Sequence, residues 1–485
     1  MKKMANRFML LLFMIGLPML IANCATKPVV TPVSPVQEST NSLATAVPYN
    51  APQAITLYLS DWHLTEPHWE KAITEMILVF EQENPGIKVQ LDPIPYAEKE
   101  ASYITEIQAG GGPDLMHLHG FSIRSFIEKG FLYDLTPFIQ QENKTVWGGE
   151  FTETWYPQTI ELMQYQDRLY ALPSDFMSMV LFYNKNLFIE AGLDPDKPPA
   201  NWDEFLVYAE ALTRDRNNDG QIDTWGFGTV GSVDPGFELR FTPILLSHGA
   251  SYLTPDNRCS ALNSPEAKAA FNFYVSLVTE HQVVPPGVTT QNPGGVRQQM
   301  ADEQVAMIIG SGWTVPIVSG LNPDLNATET LAAAPIPIAS GQTIQKPTTA
   351  WISAWMINRN TKHPQEAWLL LKFMTSRLAD EKWFMDARVL SARRDVSGGL
   401  EDLGVTPFEP LLNDPFSKVI AEVLPHAQFV PQIKEWPQII EIVNRAVQSS
   451  FSGAKTADQA LRDAHDEINI ILSNYRSPDE TCPAY

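Results

Sequence analysis

The sequence predicts an α/β protein with mostly parallel sheets, flanked by helices and divided into two lobes. Two observations lead to this class. Strand-like and helix-like segments alternate from residue 54 onward, and the roughly 430 residues beyond that point exceed what one hydrophobic core usually accommodates. Sheets of this kind bind ligands in the crevice beyond the carboxyl ends of their strands.

The first elements follow from local patterns. A strand is predicted over 54–60 and a second over 87–91, where apolar and polar residues alternate. The helix between them carries apolar residues at spacings of three and four, namely Trp69, Ile73, Met76 and Phe80. This order predicts the beginning of a β-α-β unit.

The pattern then continues as helix and strand. A helix is predicted over 96–109, a third strand at Leu115 and Met116, and a loop over 116–121 at the carboxyl end of that strand. The rest of the chain is mainly helical, and Asn201 is the predicted N-cap of a helix that begins at Trp202.

Charge excludes two kinds of partner. The formal net charge is −22, and no basic cluster follows the first residues. Nucleic acid and electrostatic adhesion to anionic lipid are therefore not expected. We expect a monomer whose acidity mainly favours solubility.

The first residues predict export. Lys2, Lys3 and Arg7 precede an apolar run over 8–22, which is too short to span a membrane and reads as a cleavable signal over 1–23. The residues before Cys24 resemble a lipoprotein box, although Asn23 stands where a small residue is usual. We expect Cys24 to be lipidated, which would tether the protein to the outer face of the cell membrane; the alternative is a plain secreted protein.

The segment 24–53 is predicted to be a disordered linker, because it is rich in Pro, Ser and Thr and has too few large apolar residues to form a core. With Cys24 assigned to the leader, Cys259 and Cys482 remain as an even pair in an oxidising compartment. We expect a disulfide between them, the alternative being two unpaired thiols.

A set of short segments, in order along the chain, resembles the sugar-binding group of bacterial extracellular solute-binding proteins of ABC importers, similar to the maltose-binding proteins. The segments are NPGIKV (84–89), GGPDL (111–115), GFLYDL (130–135), LYALP (169–173), FYNKNLF (182–188), AGL (191–193), WDEF (202–205), AMIIG (306–310) before Trp313, and AW (367–368) before LKFMTS (371–376).

The resemblance implies a type II periplasmic-binding-protein fold, in which two lobes close on a solute held in the cleft between them. Chain crossovers are expected near 173–177, 346–353 and 390–394. Lobe 1 is then 54–173 plus about 350–388, and lobe 2 is 174–349 plus about 389–485.

Sugars offer an apolar face and a rim of hydroxyls, so their sites need aromatic platforms and paired polar groups. The resemblance places Trp313 at a position that stacks on sugar, and Trp62 and His63 where the family has aromatic or polar contacts. Asp175 and Trp351 lie at the first and second crossovers and are predicted to contact the solute. The alternative for Trp313 is packing in the core, and for Trp62 and His63 it is a loop without a role in binding. Trp355 also lies near the second crossover, and we expect it to pack in the core.

His119 and Phe121 are also predicted to contact the solute. They follow the third strand, where the maltose-binding relatives carry an aromatic residue and a carboxylate, and that pattern is absent here. The solute therefore stays open, with oligosaccharide favoured and peptide a lesser alternative. Glycerol phosphate derivatives are disfavoured, because the sequence alone places no arginine cluster in the cleft.

An Asp-rich loop resembles part of an EF-hand calcium loop, with oxygen donors at alternating positions. Gly226 stands where an EF-hand has its bidentate Glu, so a complete EF-hand is not expected. We expect no required cofactor and at most a structural Ca²⁺, the alternative being a hydrogen-bonded turn. The predicted ligands are Asp215, Asn217, Asp219, Gln221 (through its carbonyl) and Asp223.

The function that the resemblance implies is reversible capture of a carbohydrate and its delivery to the transmembrane subunits of an ABC permease. A ligand-sensing protein for a membrane kinase and an exported glycosidase are the alternatives. The 56 acidic residues do not by themselves form a catalytic pair, and zinc-protease, serine-hydrolase and Walker motifs are absent from the sequence. We therefore expect a binding protein and not an enzyme.

Overall fold

The computed structural model describes residues 54–142, 144–145, 148–477 and 479–483. The predicted signal peptide, the linker and Cys24 lie outside the described residues. No described helix combines the length and the apolar character that crossing a membrane requires.

The strands are short and mostly buried. They are β1 (Ile55–Asp61), β2 (Ile87–Pro93), β3 (Leu115–His119), β4 (Gln164–Tyr165), β5 (Arg168–Leu169), β6 (Ala171–Pro173), β7 (Met177–Ser178), β8 (Val180–Asn184), β9 (Trp225–Gly228), β10 (Val305–Gly310), β11 (Leu331–Ala334), β12 (Thr348–Trp351), β13 (Ser353–Ile357) and β14 (Ala427–Gln428).

The helices cover the sheets and fill most of the chain between them. They are α1 (Pro67–Glu83), α2 (Lys99–Gln108), α3 (Gly120–Glu128), α4 (Thr136–Ile139), α5 (Pro157–Leu162), α6 (Lys185–Glu190), α7 (Trp202–Leu212), α8 (Glu238–Ser247), α9 (Pro265–Thr279), α10 (Pro293–Ala301), α11 (Thr314–Leu321), α12 (Ala327–Thr330), α13 (Pro364–Met374), α14 (Arg377–Ala387), α15 (Arg394–Ser397), α16 (Glu409–Asn413), α17 (Pro415–Val423), α18 (Trp436–Phe451) and α19 (Ala457–Ile471).

Two main sheets organise these elements. The first has the order β2-β1-β3-β13-β6 and the second β11-β8-β10-β9. A small sheet has the order β14-β12-β7, and its strands β7 and β12 belong to segments by which the chain passes between the two main sheets. The chain leaves the first sheet after Pro173, enters the second at Val180, and returns through β12 into β13. The residue boundaries of the two lobes stay a prediction.

The sheets are mixed, so the expectation of mostly parallel sheets is wrong. Strand β1 pairs with β2 and β3 in parallel, but β13 runs antiparallel to both β3 and β6. In the second sheet β10 is parallel to β9 and antiparallel to β8. The antiparallel partners come from distant parts of the chain, which the local alternation near residue 54 does not reveal.

Local sequence explains the helix ends that the patterns predict. The side chain of Asn201 accepts a hydrogen bond from the Glu204 N–H at 2.9 Å, so it caps α7 as predicted. At α10, Asn292 accepts from the Gly295 N–H at 2.9 Å and Pro293 occupies the first turn. The predicted loop over 116–121 is wrong: β3 continues to His119, and α3 begins at Gly120.

A buried carboxyl group predicts how stability depends on pH. Glu238 is 2% exposed, its Oε2 accepts a hydrogen bond from Trp436 Nε1 at 2.9 Å, and burial raises its pKa to about 8. The folded protein therefore holds a proton that the unfolded chain releases above its ordinary pKa of 4.5. The free energy of unfolding should fall as pH rises from about 4.5 to about 8.

We expect Glu238→Gln, which keeps the acceptor and cannot ionise, to stabilise the protein at pH 8 by about 3 kcal/mol and to have a much smaller effect at pH 5. Urea unfolding of both proteins across this range measures the difference. An equal effect of the substitution at both pH values would contradict the conclusion that burial raises the pKa of Glu238.

Candidate functional site

A cavity of about 300 Å³ opens beyond the carboxyl ends of strands in both main sheets. Trp62 and His63 directly follow β1, whereas Trp313 follows β10 of the second sheet. Asp175 and Trp351 come from the segments that connect the sheets. The structure thus brings five of the seven predicted ligand residues to one cavity.

Aromatic rings form much of its wall. Trp62 and Trp351 are 4% and 8% exposed, and Trp313 is half-buried. Trp313 meets Trp351 edge-on with ring centroids 6.1 Å apart, and His63 stacks on Trp69 at 4.0 Å. The Trp351 indole Nε1 donates to Ser353 Oγ at 3.1 Å. Such rings suit the apolar face of a sugar ring.

His119 and Phe121 are not among the residues that line this cavity. His119 is 0% exposed because it lies within β3, with ring contacts to Trp62, Tyr96 and Trp351. Burial, then the charge of Lys99, holds the pKa of His119 well below its ordinary value. Phe121 borders a different cavity. We therefore do not retain either residue as a solute contact.

A chain of buried hydrogen bonds lies behind the cavity wall. Asp61 lies 3.1 Å from His63 Nδ1 and 3.3 Å from His117 Nδ1, and the other nitrogen of His117 lies 2.8 Å from Ser174 Oγ. Burial alone would raise the pKa of Asp61, but the charges and hydrogen bonds of the two histidines outweigh it and hold it low. These hydrogen bonds connect β1 and β3 to the first crossover.

These groups are connected in the order of a Ser-His-Asp hydrogen-bond relay. Ser174 is 3% exposed and is not among the residues that line the cavity. Asp175 accepts from the Ser353 N–H at 2.9 Å, and burial raises its pKa. The arrangement holds the two crossovers together. Among the described residues, the one group of His, Cys, Asp or Glu whose ligand atoms converge within 4.8 Å is Asp61, His63 and His117.

Sequence reasoning missed several cavity residues. Trp69 was recognised only as part of the apolar stripe of α1, and Arg240 and Arg297 carry no motif that separates them from surface arginines. Both arginines line the cavity, which corrects the expectation that no arginine cluster lies there. Polar residues among those missed are Glu66, Tyr96, Asp234, Arg240, Asn292 and Arg297.

Arg240 is shielded from water, and Arg297 is partly exposed. Burial, then the charge of Arg297, lowers the pKa of Arg240 to about 10. Burial also lowers the pKa of Arg297, whose Nη2 lies 3.9 Å from Glu66. Both side chains stay charged at neutral pH and add a polar end to a cavity with aromatic walls.

The Asp-rich loop lies before β9 and does not contribute to the cavity. Asp215 accepts from the N–H groups of Asn218 and Gly220 at 2.6 and 2.7 Å, and Asp223 accepts from Arg216 N–H at 2.7 Å. Asn217 and Asp219 likewise accept backbone N–H donors two residues ahead, at 2.8 Å in both cases, the second from Gln221. Hydrogen bonds within the loop therefore hold its backbone in this conformation, and calcium binding stays a prediction.

The structure joins Cys259 and Cys482 by a disulfide with a Cα–Cα distance of 5.6 Å. Arg476 donates to the Arg258 carbonyl at 3.0 Å and Ser260 N–H donates to Asn469 Oδ1 at 2.9 Å, so hydrogen bonds surround the bond. The bond connects the C-terminal segment to the loop before α9.

Comparison with known proteins identifies the family. The model of the bacterial extracellular solute-binding protein family matches residues 63–379. A putative binding protein of Brucella abortus is 26% identical over 408 residues, which cover 84% of this chain and 90% of that protein. The erythritol/L-threitol-binding protein of Mycolicibacterium smegmatis is 24% identical over 326 residues, or 65% of this chain and 66% of that protein.

A solved structure supports the fold. The solute-binding protein of an ABC transporter from Thermotoga lettingae, bound with α-D-tagatose, has a TM-score of 0.74 and 27% identity, covering 86% of this chain and all of that one. The predicted type II periplasmic-binding-protein fold is confirmed. The family match spans well over half of the chain. The chain belongs to the bacterial extracellular solute-binding proteins.

Proposed function

We propose that the protein captures a carbohydrate, a sugar or a polyol, in the cavity beyond β1 and β10 and delivers it to the transmembrane subunits of an ABC permease. The observation that carries the proposal is the convergence of tryptophans with charged groups at one cavity. A sugar ring stacks on the tryptophans, and pairs of its hydroxyls form hydrogen bonds with the charged groups. The tagatose of the Thermotoga relative and the polyol named for the Mycolicibacterium relative belong to the same chemical class.

The proposed mechanism is reversible closure without bond cleavage. Solute contacts that come from both sheets favour the closed state. Moving the population from 99:1 open to 1:99 requires about 5.5 kcal/mol of differential binding. Stacking and several paired hydrogen bonds supply a free energy of that order.

A thermal-shift screen against sugars, polyols and peptides, with product analysis of every hit, tests this function. We expect a sugar or polyol to raise the melting temperature and to be recovered intact. A carbohydrate that is cleaved would indicate an enzyme, and stabilisation by peptides alone would contradict the proposed class.

We also propose that Cys24 anchors the protein to the outer face of the membrane through a lipid, and that the chain works there as a monomer. Cys24→Ser should move the protein from the membrane fraction to the soluble fraction of the expressing bacterium, because the covalent anchor is lost. Fractionation with labelled palmitate measures both effects. Wild-type protein that is unlabelled and already soluble would show plain secretion instead.

A structural calcium ion in the loop over 215–223 stays a prediction. If calcium binds, it should raise the melting temperature of the wild-type protein and not of Asp219→Asn, because a charged oxygen donor is lost. Differential scanning fluorimetry with calcium and with chelator measures this. Identical melting temperatures in both conditions would favour the hydrogen-bonded turn.

A further inference from the structure

Two arginines from different helices line the cavity, close enough for the charge of Arg297 to act on Arg240. Arg240 lies in α8 and is 4% exposed, whereas Arg297 lies in α10 with a side chain 17% exposed. The Nε atom of each is buried and makes no hydrogen bond within the described part of the chain. A buried cationic donor without a partner is costly. The pair is therefore built for a group that is brought in from outside.

The beginning of α10 borders the same cavity. Asn292, Pro293 and Gly294 line the cavity together with Arg297. Pro293 has no N–H and the Gly295 N–H already donates to Asn292 Oδ1 at 2.9 Å, so this end offers an anion chiefly the positive end of the helix dipole. An oxygen anion placed here would meet two guanidinium groups and a helix N-terminus.

Two carboxylates lie near the pair and offset part of its charge: the charge of Asp234 favours the charged form of both arginines, and that of Glu66 favours the charged form of Arg297. Glu66 reaches only Arg297, at 3.9 Å. Asp234 Oδ1 accepts from the Gly236 N–H at 2.7 Å, and the hydrogen bond that Arg240 makes goes to the Gly236 carbonyl, from Nη1 at 3.0 Å. The guanidinium groups also repel each other, which an anion between them would offset.

We propose that the solute is an acidic carbohydrate, whose carboxylate or phosphate binds between Arg240, Arg297 and the N-terminus of α10 while its ring packs against the tryptophans. Arginine suits both anions because its planar fork bonds two oxygens at once. This inference rests on the proposed function and narrows it to one class of solute.

The test compares matched pairs of compounds on the full-length protein purified in detergent. Glucuronate with glucose and galacturonate with galactose test the carboxylate, and glucose 6-phosphate with glucose and glycerol 3-phosphate with glycerol test the phosphate. We expect the acidic member of at least one pair to bind more tightly by about tenfold or more by calorimetry, and added salt to reduce the difference. The pair that responds identifies the anion.

Two variants locate the effect. Arg297→Gln and Arg240→Lys should each lower the affinity for the acidic compound by about tenfold, the second because lysine keeps the charge but lacks the fork. Arg445→Gln is the matched control, since Arg445 lies on α18 and pairs with Glu441 and Glu467 away from the cavity.

Neutral compounds that bind as tightly as their acidic partners would overturn the inference and leave the proposed function standing. A preference for the acidic compound that survives in both variants would also overturn it. Failure of every carbohydrate to bind, neutral or acidic, would contradict the proposed function as well.

Discussion

Trp313→Ala is expected to weaken binding of the carbohydrate by about 10- to 100-fold. Trp313 follows β10, lines the cavity and is half-buried, so its ring is held in place and still offers a face to the solute. Removing it takes away a stacking surface from one side of the cleft. Calorimetry with the carbohydrate found in the thermal-shift screen measures the loss.

Trp225→Ala is the matched control for this substitution. Trp225 is also half-buried and begins β9 of the same sheet, but it does not line the cavity. The Trp225→Ala variant should be less stable than the wild type but bind the carbohydrate with the same affinity. Trp313→Phe, which keeps an aromatic ring, should bind more tightly than Trp313→Ala. Equal affinities of Trp313→Ala and the wild type would show that Trp313 serves only the packing around Trp351.

Gly226→Ala is expected to destabilise the protein by about 3 kcal/mol or more. Gly226 lies in β9 where the strand crosses α7, and a Cβ atom there would lie 2.2 Å from the carbonyl oxygen of Ala209 and 2.4 Å from its Cα. Both atoms belong to the backbone, so no side-chain rotation relieves the clash. Urea unfolding measures the loss in the free energy of unfolding.

Gly320→Ala is the control with the same chemical change. Gly320 lies in α11, and a Cβ atom there would meet nothing within 4 Å. Alanine should stabilise the protein by about 0.5–1 kcal/mol, because glycine loses more backbone freedom on folding. Similar losses in both variants would contradict the close packing of β9 on α7.

Local periodicity was enough to predict the beginning of the first sheet. The alternation over 87–91 and the apolar stripe from Trp69 to Phe80 correspond to β2 and α1. The pairing of β13 with β3 and β6 could not be predicted, because it depends on contacts between residues more than 180 positions apart in sequence. The carboxyl end of β3 was also predicted too early, because its histidines are polar residues of a kind that is common in loops, although every residue of the strand is buried.

The site was predictable where residues follow strands or crossovers. Trp62, Asp175, Trp313 and Trp351 all reach the cavity for this reason. Cavity residues that lie on helices, such as Arg240 and Arg297, could not be predicted, because only the packing of α8 and α10 brings them to the cavity. His119 was predicted to contact the solute but is buried in β3, because the sequence does not show which strand residues the neighbouring tryptophans cover.

The central claim is that the protein binds an intact carbohydrate reversibly. Native mass spectrometry after incubation with a mixture of mono- and oligosaccharides, polyols, sugar acids, sugar phosphates and peptides tests it most directly. The account predicts a bound species with the mass of one intact carbohydrate, which dissociates unchanged. A bound peptide, or carbohydrate recovered only as cleavage products, would contradict it.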